Sequence, residues 1–346
     1  MYDQMRIIDA NINRLGEGLR VLEEFARMIL NDTALTQKLK DIRHKTVEVS
    51  AELQKNLLSA RDAGGDVGKK MDVGGTKKSR DIIATITANA KRAQESLRVL
   101  EEMAKNPELK LDTENYRKAR FELYTIENKL LAKILRKDKT ECIKGVYAVI
   151  DTEWLKARKP ADVARQMIKG GAKIIQLRCK EGSTKEYLAI AKELKGICAK
   201  SGILFIINDS LEVALAVNAD GLHVGQDDLP VTEARKFIPI DMILGCSVMT
   251  VKEAVKAKKD GVDYLGVGAI FSTATKESAK AIGLARIKEI EQAVDLPIVA
   301  IGGINKNNLN DVIKAGADSA AVISVIMGAE NIEKATKELI KIFEEK

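Results

Sequence analysis

The chain has 346 residues, long for one domain and comfortable for two. Hydrophobic residues make up 45% and charged residues 31%, enough for packed cores under a charged surface, while Pro at 5 and aromatics at 4% argue against an all-β sandwich. A net charge of +7 fits a Lys-rich surface or anionic ligands; nucleic acid is disfavoured, because Lys and Glu interleave along most helices and no aromatic platform accompanies the basic residues.

Cys142, Cys179, Cys198 and Cys246 form no CxxC pair, which indicates neither a zinc site nor a disulfide framework. The opening MYDQMRIIDANINRLGEG is acidic in part and lacks an apolar signal core, and no apolar run approaches the length of a membrane span. A cytoplasmic protein with no membrane partner is the expectation.

Residues 1–138 read as an all-helical domain, without a strand run. Within it Asn11, Arg14, Glu17, Leu19, Arg20, Val21, Leu22, Glu23, Glu24 and Ala26 recur 78 residues later as Asn89, Arg92, Glu95, Leu97, Arg98, Val99, Leu100, Glu101, Glu102 and Ala104, which suggests duplicated helical units. At 100° per residue Ile12, Leu15, Leu19, Leu22 and Ala26 share an apolar stripe, the expected core. Arg14, Glu17, Arg20 and Glu24 lie on another face. One reading is a solvated face with i,i+3 and i,i+4 ion pairs. The other has facing copies pair into an anion site, closed by the Gly- and Lys-rich stretch Arg61–Arg80 with Lys69, Lys70, Lys77 and Lys78 over phosphates. No Walker A motif is present, so a nucleotide site here is of an unfamiliar type. The charged segment Arg136–Thr140 reads as a linker.

Residues 139–346 change rhythm: short β-branched runs alternate with amphipathic helices. The strand candidates are GVYAVI, KIIQLR, LFIIND, GLHVG, MILGCS, YLGVG, PIVAIGG and AAVIS. Eight strands separated by helices imply a parallel sheet, and the 202 residues from Gly145 onward sit near the lower limit for a closed (β/α)8 TIM barrel. A doubly wound open sheet is the alternative, disfavoured because no GxGxxG follows the first strand. The expected fold class is therefore α/β: a C-terminal TIM barrel with a separate all-α N-terminal domain.

In such barrels the C-terminal strand ends carry the chemistry. Here those ends hold Gln176, Arg178 and Lys180; Asn208 and Asp209; His223, Gly225, Gln226, Asp227 and Asp228; Ser247; Thr273, Thr275 and Lys276; Gly302 and Gly303; Ile323 and Ser324. Each group has a plain alternative. Arg178 and Lys180 share a face and can salt-bridge to a neighbouring strand; Asp209 can cap the helix beginning at Ser210 or Leu211; Asp228 before Pro230 can be a turn residue; the glycines can merely allow tight turning. Closing the barrel brings them all to one rim. There Asp209 and Asp228 can hold one Mg²⁺, which prefers few carboxylates, several waters and substrate phosphate oxygens. Arg178 and Lys180 beside them suit a pyrophosphate. Gly302, Gly303, Ile323 and Ser324 follow strands seven and eight, the usual phosphate position in this fold.

The ordered set QLRCK, IND, GLHVGQDD, LGCS, GAIFSTATK, AIGGI and VIS resembles thiamine phosphate synthase over residues 145–346. The resemblance implies joining a hydroxymethylpyrimidine diphosphate to a thiazole phosphate carboxylate, with release of pyrophosphate and CO₂. It implies Mg²⁺ at Asp209 and Asp228, and pyrimidine diphosphate at Gln176, Arg178, Lys180, Asn208, Ser247 and Lys276. Of these, Arg178, Lys180, Ser247 and Lys276 are its catalytic positions. Thr273, Thr275, Gly303, Ile323 and Ser324 would take the thiazole phosphate. Ala269 departs from the Pro the family often carries there, which bears on loop stiffness. A related thiazole isomerase is a competing barrel reading, but it wants a proton shuttle, and the barrel's one histidine is His223.

IDANxNRxxEGLRVLEE, RHK, ARDAGGDVG and NxKRAQESLRVLEE over about residues 1–135 resemble the alternative hydroxymethylpyrimidine phosphate kinase domain found fused to these synthases. That implies ATP as a further small-molecule partner. A non-catalytic oligomerisation or docking module is the competing reading, and a homo-oligomer is left open.

Overall fold

A computed structural model of the chain describes residues 2–62, 81–273 and 280–345. The chain divides into two compact units, Met1–Leu135 and Arg136–Lys346.

The first unit is helical: α1 (Tyr2–Glu24), which widens into a π turn at Phe25–Ile29, α2 (Thr33–Val47), α3 (Ala51–Ala60), α4 (Ile82–Met103) and α5 (Thr113–Glu141). Side-chain caps start four of them, Asp32 for α2, Ser50 for α3, Asp81 for α4 and Asp112 for α5, each accepting a backbone N–H of the first turn. The predicted stripe of α1 is the core: Ile12, Leu15, Leu19, Leu22 and Ala26 are all buried, against Ile86, Leu97 and Leu100 of α4 and Leu123 of α5. A Cβ at Gly18 would lie 2.9 Å from the Asn89 backbone carbonyl, so the backbones of α1 and α4 approach closely here.

The repeat is a repeat of contacts. Arg20 bonds Glu23 at 2.9 Å and Glu24 at 2.7 Å, and Arg98 bonds Glu101 at 2.9 Å and Glu102 at 2.6 Å. Glu23 and Glu101, both buried, each receive a second arginine from the following long helix, Arg43 at 3.3 Å and Arg120 at 3.0 Å. Asn11 and Asn89 each donate to the carbonyl four residues earlier. The ion-pair reading of the polar face thus describes Arg20 and Arg98. The Gly- and Lys-rich stretch from Ala63 to Arg80, with its lysines, lies outside the described residues.

The expected linker at Arg136–Thr140 is instead the end of α5. Lys and Arg are good helix formers, Lys137 pairs with Glu141 at 2.6 Å one turn on, and no Gly or Pro intervenes before Gly145.

The second unit is a closed barrel of parallel strands in the order β1 to β8: β1 (Gly145–Asp151), β2 (Ile174–Arg178), β3 (Leu204–Asn208), β4 (Gly221–Val224), β5 (Ile243–Val248), β6 (Tyr264–Gly268), β7 (Ile298–Ile301) and β8 (Ser319–Val322), with β8 pairing back onto β1. Around it lie α6 (Pro160–Lys169), α7 (Thr184–Lys200), α8 (Leu211–Ala216), α9 (Val231–Phe237), α10 (Val251–Asp260), α11 (Ala285–Ala293), α12 (Leu309–Lys314), α13 (Ser324–Met327) and α14 (Ile332–Glu344). Alternate strand residues face out into the helix layer, where Ile175, Leu177, Phe205, Ile207, Leu222 and Leu244 are buried. The others fill the lumen, with Tyr147, Ile174, Ile206, Ile243 and Tyr264 at its base. Arg136, the first residue of this unit, and Arg235 both pair with Asp263 at the foot of β6. Among the described residues no helix is long and apolar enough to cross a membrane.

Candidate active site

Above the apolar base the strand ends open into a cavity of about 460 Å³. Its walls include Gln176, Arg178, Lys180, Asn208, Asp209, Asp228, Ser247, Thr273, Gly303, Ile323 and Ser324. The sequence named each of these, and the barrel brings them together. Thr275 and Lys276 lie outside the described residues.

Asp209 follows β3 with φ +63°, a left-handed conformation uncommon for a residue with a side chain. It is not the cap of α8: Ser210 holds that place and accepts the Val213 N–H. Asp209 is turned instead toward Asp228, and the two carboxylates are close enough to share a hydrogen bond. Burial, then Asp228 itself, raises the Asp209 pKa. Burial works against Asp228 too, but the Asp209 hydrogen bond, the Gly225 N–H at 2.8 Å and the Lys180 charge together hold its carboxyl below the ordinary range. The pair is one site wanting positive charge, and the Lys180 ammonium bonds Asp209 directly. Among the described residues no three acidic, His or Cys side chains converge to cage a metal. Two carboxylates with room for water and phosphate oxygens are the donor set Mg²⁺ takes beside a phosphorylated substrate.

Arg178 pairs with Asp151, which ends β1 and is wholly buried. So both cations do meet carboxylates of neighbouring strands, yet both also line the cavity. Asp151 escaped sequence reasoning because the first strand was read as ending at Ile150; the strand-end rule applied one residue further would have found it. Tyr187 of α7 links β2 and β3, its hydroxyl lying 2.8 Å from the Leu177 carbonyl and 2.9 Å from that of Asn208.

Across the rim, Gly302 and Gly303 have φ +100° and +67°. A Cβ on Gly303 would fall 2.5 Å from the Ser272 carbonyl and 2.8 Å from the Phe271 Cβ, so only glycine fits. Asn308 donates to the Gly303 carbonyl at 2.9 Å and holds the turn. Ser324 opens α13 directly after Ile323, so backbone N–H groups of a first helical turn stand at the cavity wall. The Gly268–Ala269 peptide is cis, and Ala269 lines the cavity.

Below the cavity runs a second set of polar groups. Gln176 Nε2 donates to the Tyr147 hydroxyl at 3.1 Å, the Tyr147 and Tyr264 hydroxyls are 2.9 Å apart, Tyr264 Oη is 3.0 Å from His223 Nδ1, and His223 Nε2 is 2.9 Å from Ser247 Oγ. Burial pushes His223 down to about 4, so its imidazole is neutral near pH 7. The tyrosines were hidden in sequence because each counts as an apolar strand residue by pattern, Tyr147 within β1 and Tyr264 at the start of β6.

The family model "Thiamine monophosphate synthase" matches residues 146–326. A thiamine-phosphate synthase of Prochlorococcus marinus (strain MIT 9313) is 37% identical over 97% of this chain and 95% of its own length. The chain belongs to the thiamine-phosphate synthase family. It is a transferase of thiamine biosynthesis. The family member from Thermosynechococcus vestitus is 34% identical, again over 97% of this chain and 94% of its own. That of Clostridium tetani (strain Massachusetts / E88) is 48% identical and matches 58% of this chain but 96% of its own length. Among solved structures, thiamine phosphate pyrophosphorylase from Pyrococcus furiosus superposes with a TM-score of 0.55 at 42% identity, covering 59% of this chain and 98% of that one. Residues 6–129 match the ThiD2 family.

Proposed function

We propose that the barrel joins 4-amino-2-methyl-5-(diphosphomethyl)pyrimidine to 4-methyl-5-(2-phosphoethyl)thiazole carboxylate, giving thiamine phosphate, pyrophosphate and CO₂. The observation that supports this reading is one cavity lined by Arg178, Lys180 and the Asp209/Asp228 pair on one side and by Gly303, Ile323 and Ser324 on the other, which we read as the diphosphate end and the monophosphate end.

Asp209 and Asp228 would hold Mg²⁺, which when bound supplies charge neutralisation for the diphosphate. Lys180 then turns from Asp209 to the leaving group, and Arg178 stays oriented by Asp151. The bond from the pyrimidine methylene to the diphosphate oxygen breaks with its electron pair on pyrophosphate, whose charge Arg178 and Lys180 stabilise. Gln176, Asn208 and Ser247 hold the pyrimidine, and the glycine turn with Ser324 holds the thiazole phosphate, so that the ring nitrogen faces the methylene carbon and forms the new C–N bond. Loss of CO₂ leaves an electron pair on the thiazole ring that takes up a proton. Near pH 7 His223 is neutral with both ring nitrogens engaged by hydroxyls, and no side-chain nucleophile is needed. Lys276 and Thr275 keep the diphosphate and thiazole roles that resemblance gives them.

Ser324→Asp places a like charge at the monophosphate end. The KM for the thiazole phosphate should rise about tenfold or more, the KM for the pyrimidine diphosphate staying near its wild-type value. Equal rises in both would defeat the two-ended assignment.

We further propose that the helical unit phosphorylates the pyrimidine monophosphate with ATP, supplying the diphosphate. The ThiD2-family match supports this reading. With Arg20 and Arg98 engaged by glutamates, Arg14 and Arg92 are the repeated arginines left exposed and without a carboxylate partner among the described residues. Asp209→Asn, which stops consumption in the barrel, provides the assay: given ATP and the monophosphate, that variant should accumulate the diphosphate. If none forms, the unit is a non-catalytic module.

A further inference from the structure

The chain of hydroxyls beneath the cavity couples its two ends. At neutral pH each member carries few protons: a tyrosine hydroxyl donates once, and a neutral imidazole donates from one nitrogen and accepts at the other. Gln176 Nε2 donates to Tyr147, whose own proton then goes to Tyr264. Tyr264 in turn donates to His223 Nδ1, and the remaining ring proton, on Nε2, points at Ser247 Oγ. The Ser247 proton is thereby free for the cavity. At the other end nothing among the described residues donates to Gln176 Oε1, and that atom is not sealed from the cavity. A hydroxyl oxygen can accept twice, but reversing a single link would leave a buried O–H without an acceptor, so the arrangements that use every buried proton keep the two ends opposite in sense.

The strands are built to hold this chain. A Cβ on Gly245 would fall 2.1 Å from the Tyr264 Cζ and 2.5 Å from His223 Nδ1, and one on Gly266 would fall 2.9 Å from the His223 Cε1. Two lumen-facing glycines therefore make the room that the Tyr264 and His223 rings fill. Tyr147 and Tyr264 are wholly buried. Polar groups at this depth are costly unless each is bonded, so the chain needs all of its members.

We infer that Tyr147, Tyr264 and His223 are positioning residues that lock Gln176 and Ser247 into opposite hydrogen-bond senses, an acceptor on one wall and a donor on the other, and so select a ring with a donor on one edge and an acceptor on the far edge. This rests on the proposed synthase reading and deepens it: an aminopyrimidine, with an exocyclic amine and a ring nitrogen across from it, is such a ring. A pyrimidine whose amine is replaced by a carbonyl presents an acceptor at the position where the amine donated, its remaining N–H sitting on the adjacent ring nitrogen, so the end held as an acceptor meets a carbonyl oxygen and that hydrogen bond is lost.

The test is equilibrium binding of two diphosphates in the presence of Mg²⁺, the aminopyrimidine and its 4-oxo counterpart, to the full chain without the thiazole partner. Binding is read rather than turnover, because the oxo ring also alters the chemistry. The wild type should prefer the amino ligand, and Tyr264→Phe, which cuts the chain while keeping the ring, should lower that preference about tenfold or more by releasing Gln176 from Ser247. Tyr147→Phe cuts the chain one link away, should act alike, and serves if Tyr264→Phe does not fold. Equal weakening of both ligands, or an unchanged ratio, overturns the relay. A wild type that binds the amino ligand no better than inorganic pyrophosphate overturns the synthase reading instead.

Discussion

Asp209 combines a left-handed backbone with a carboxylate aimed at a second carboxylate, and the cap beside it is supplied by Ser210. Those facts separate its role from folding. Asp209→Asn keeps a side chain that tolerates positive φ and leaves the helix cap untouched. The melting temperature should stay within a few degrees, while Mg²⁺-dependent formation of thiamine phosphate should disappear. Wild-type turnover at limiting Mg²⁺ would rule out the metal role. His223 gives a pH prediction of opposite character, about stability alone. Its pKa is about 4 in the fold and ordinary in the unfolded chain, so the unfolded chain takes the proton first. The contribution is full above about pH 6.5 and is lost as pH falls from there through 4, amounting to roughly 3 kcal/mol in all. Melting curves across that window should fall more steeply for the wild type than for His223→Gln; parallel curves would mean the histidine does not govern it.

At the scale of elements, the sequence made the parallel barrel legible because each strand is a short β-branched run with a polar terminus, and the polar termini are what the rim collects. What stayed hidden is polarity inside those runs. Tyr147 and Tyr264 count as apolar by pattern, and only closure of the barrel puts their hydroxyls 2.9 Å apart. Asp151 was missed by one residue of strand length. Arg136–Thr140 looked like a linker because charge density was read as solvation, when in helical spacing the same charges pair along and beyond the helix. The Gly302–Gly303 turn was legible as a turn, but why both must be glycine needs the segment that follows β6: the space a Cβ would take is filled by Ala269 for one and by Phe271 with the Ser272 carbonyl for the other. Gly303→Ala, with a methyl forced into backbone at positive φ, should cost about 1–3 kcal/mol in stability and raise the thiazole phosphate KM more than the pyrimidine diphosphate KM. A neutral effect on both stability and KM would show that the turn can shift without consequence.

Over the whole molecule the two units rest on different cores, and the Clostridium tetani relative matches only 58% of this chain at nearly its own full length. The helical unit's own architecture is a duplication that is electrostatic as well as apolar: in each copy a buried glutamate takes one arginine from its own helix and one from the next long helix. Two partners make the arrangement tolerant of single losses. Arg20→Ala leaves Glu23 bonded to Arg43, and Arg43→Ala leaves it bonded to Arg20, so each change alone should cost about 1 kcal/mol or less. Removing both strands a carboxylate of 0% exposure without a cation, and that uncompensated burial should cost about 3 kcal/mol or more, beyond the sum of the single changes. Denaturant unfolding of the four proteins in this cycle measures the excess. Throughout the series the barrel should turn over supplied pyrimidine diphosphate at its normal rate, since none of these side chains belongs to its unit. Simple additivity would mean that Glu23 finds other solvation when stripped, and the repeated glutamates would then owe their recurrence to something other than holding the duplicated helices together.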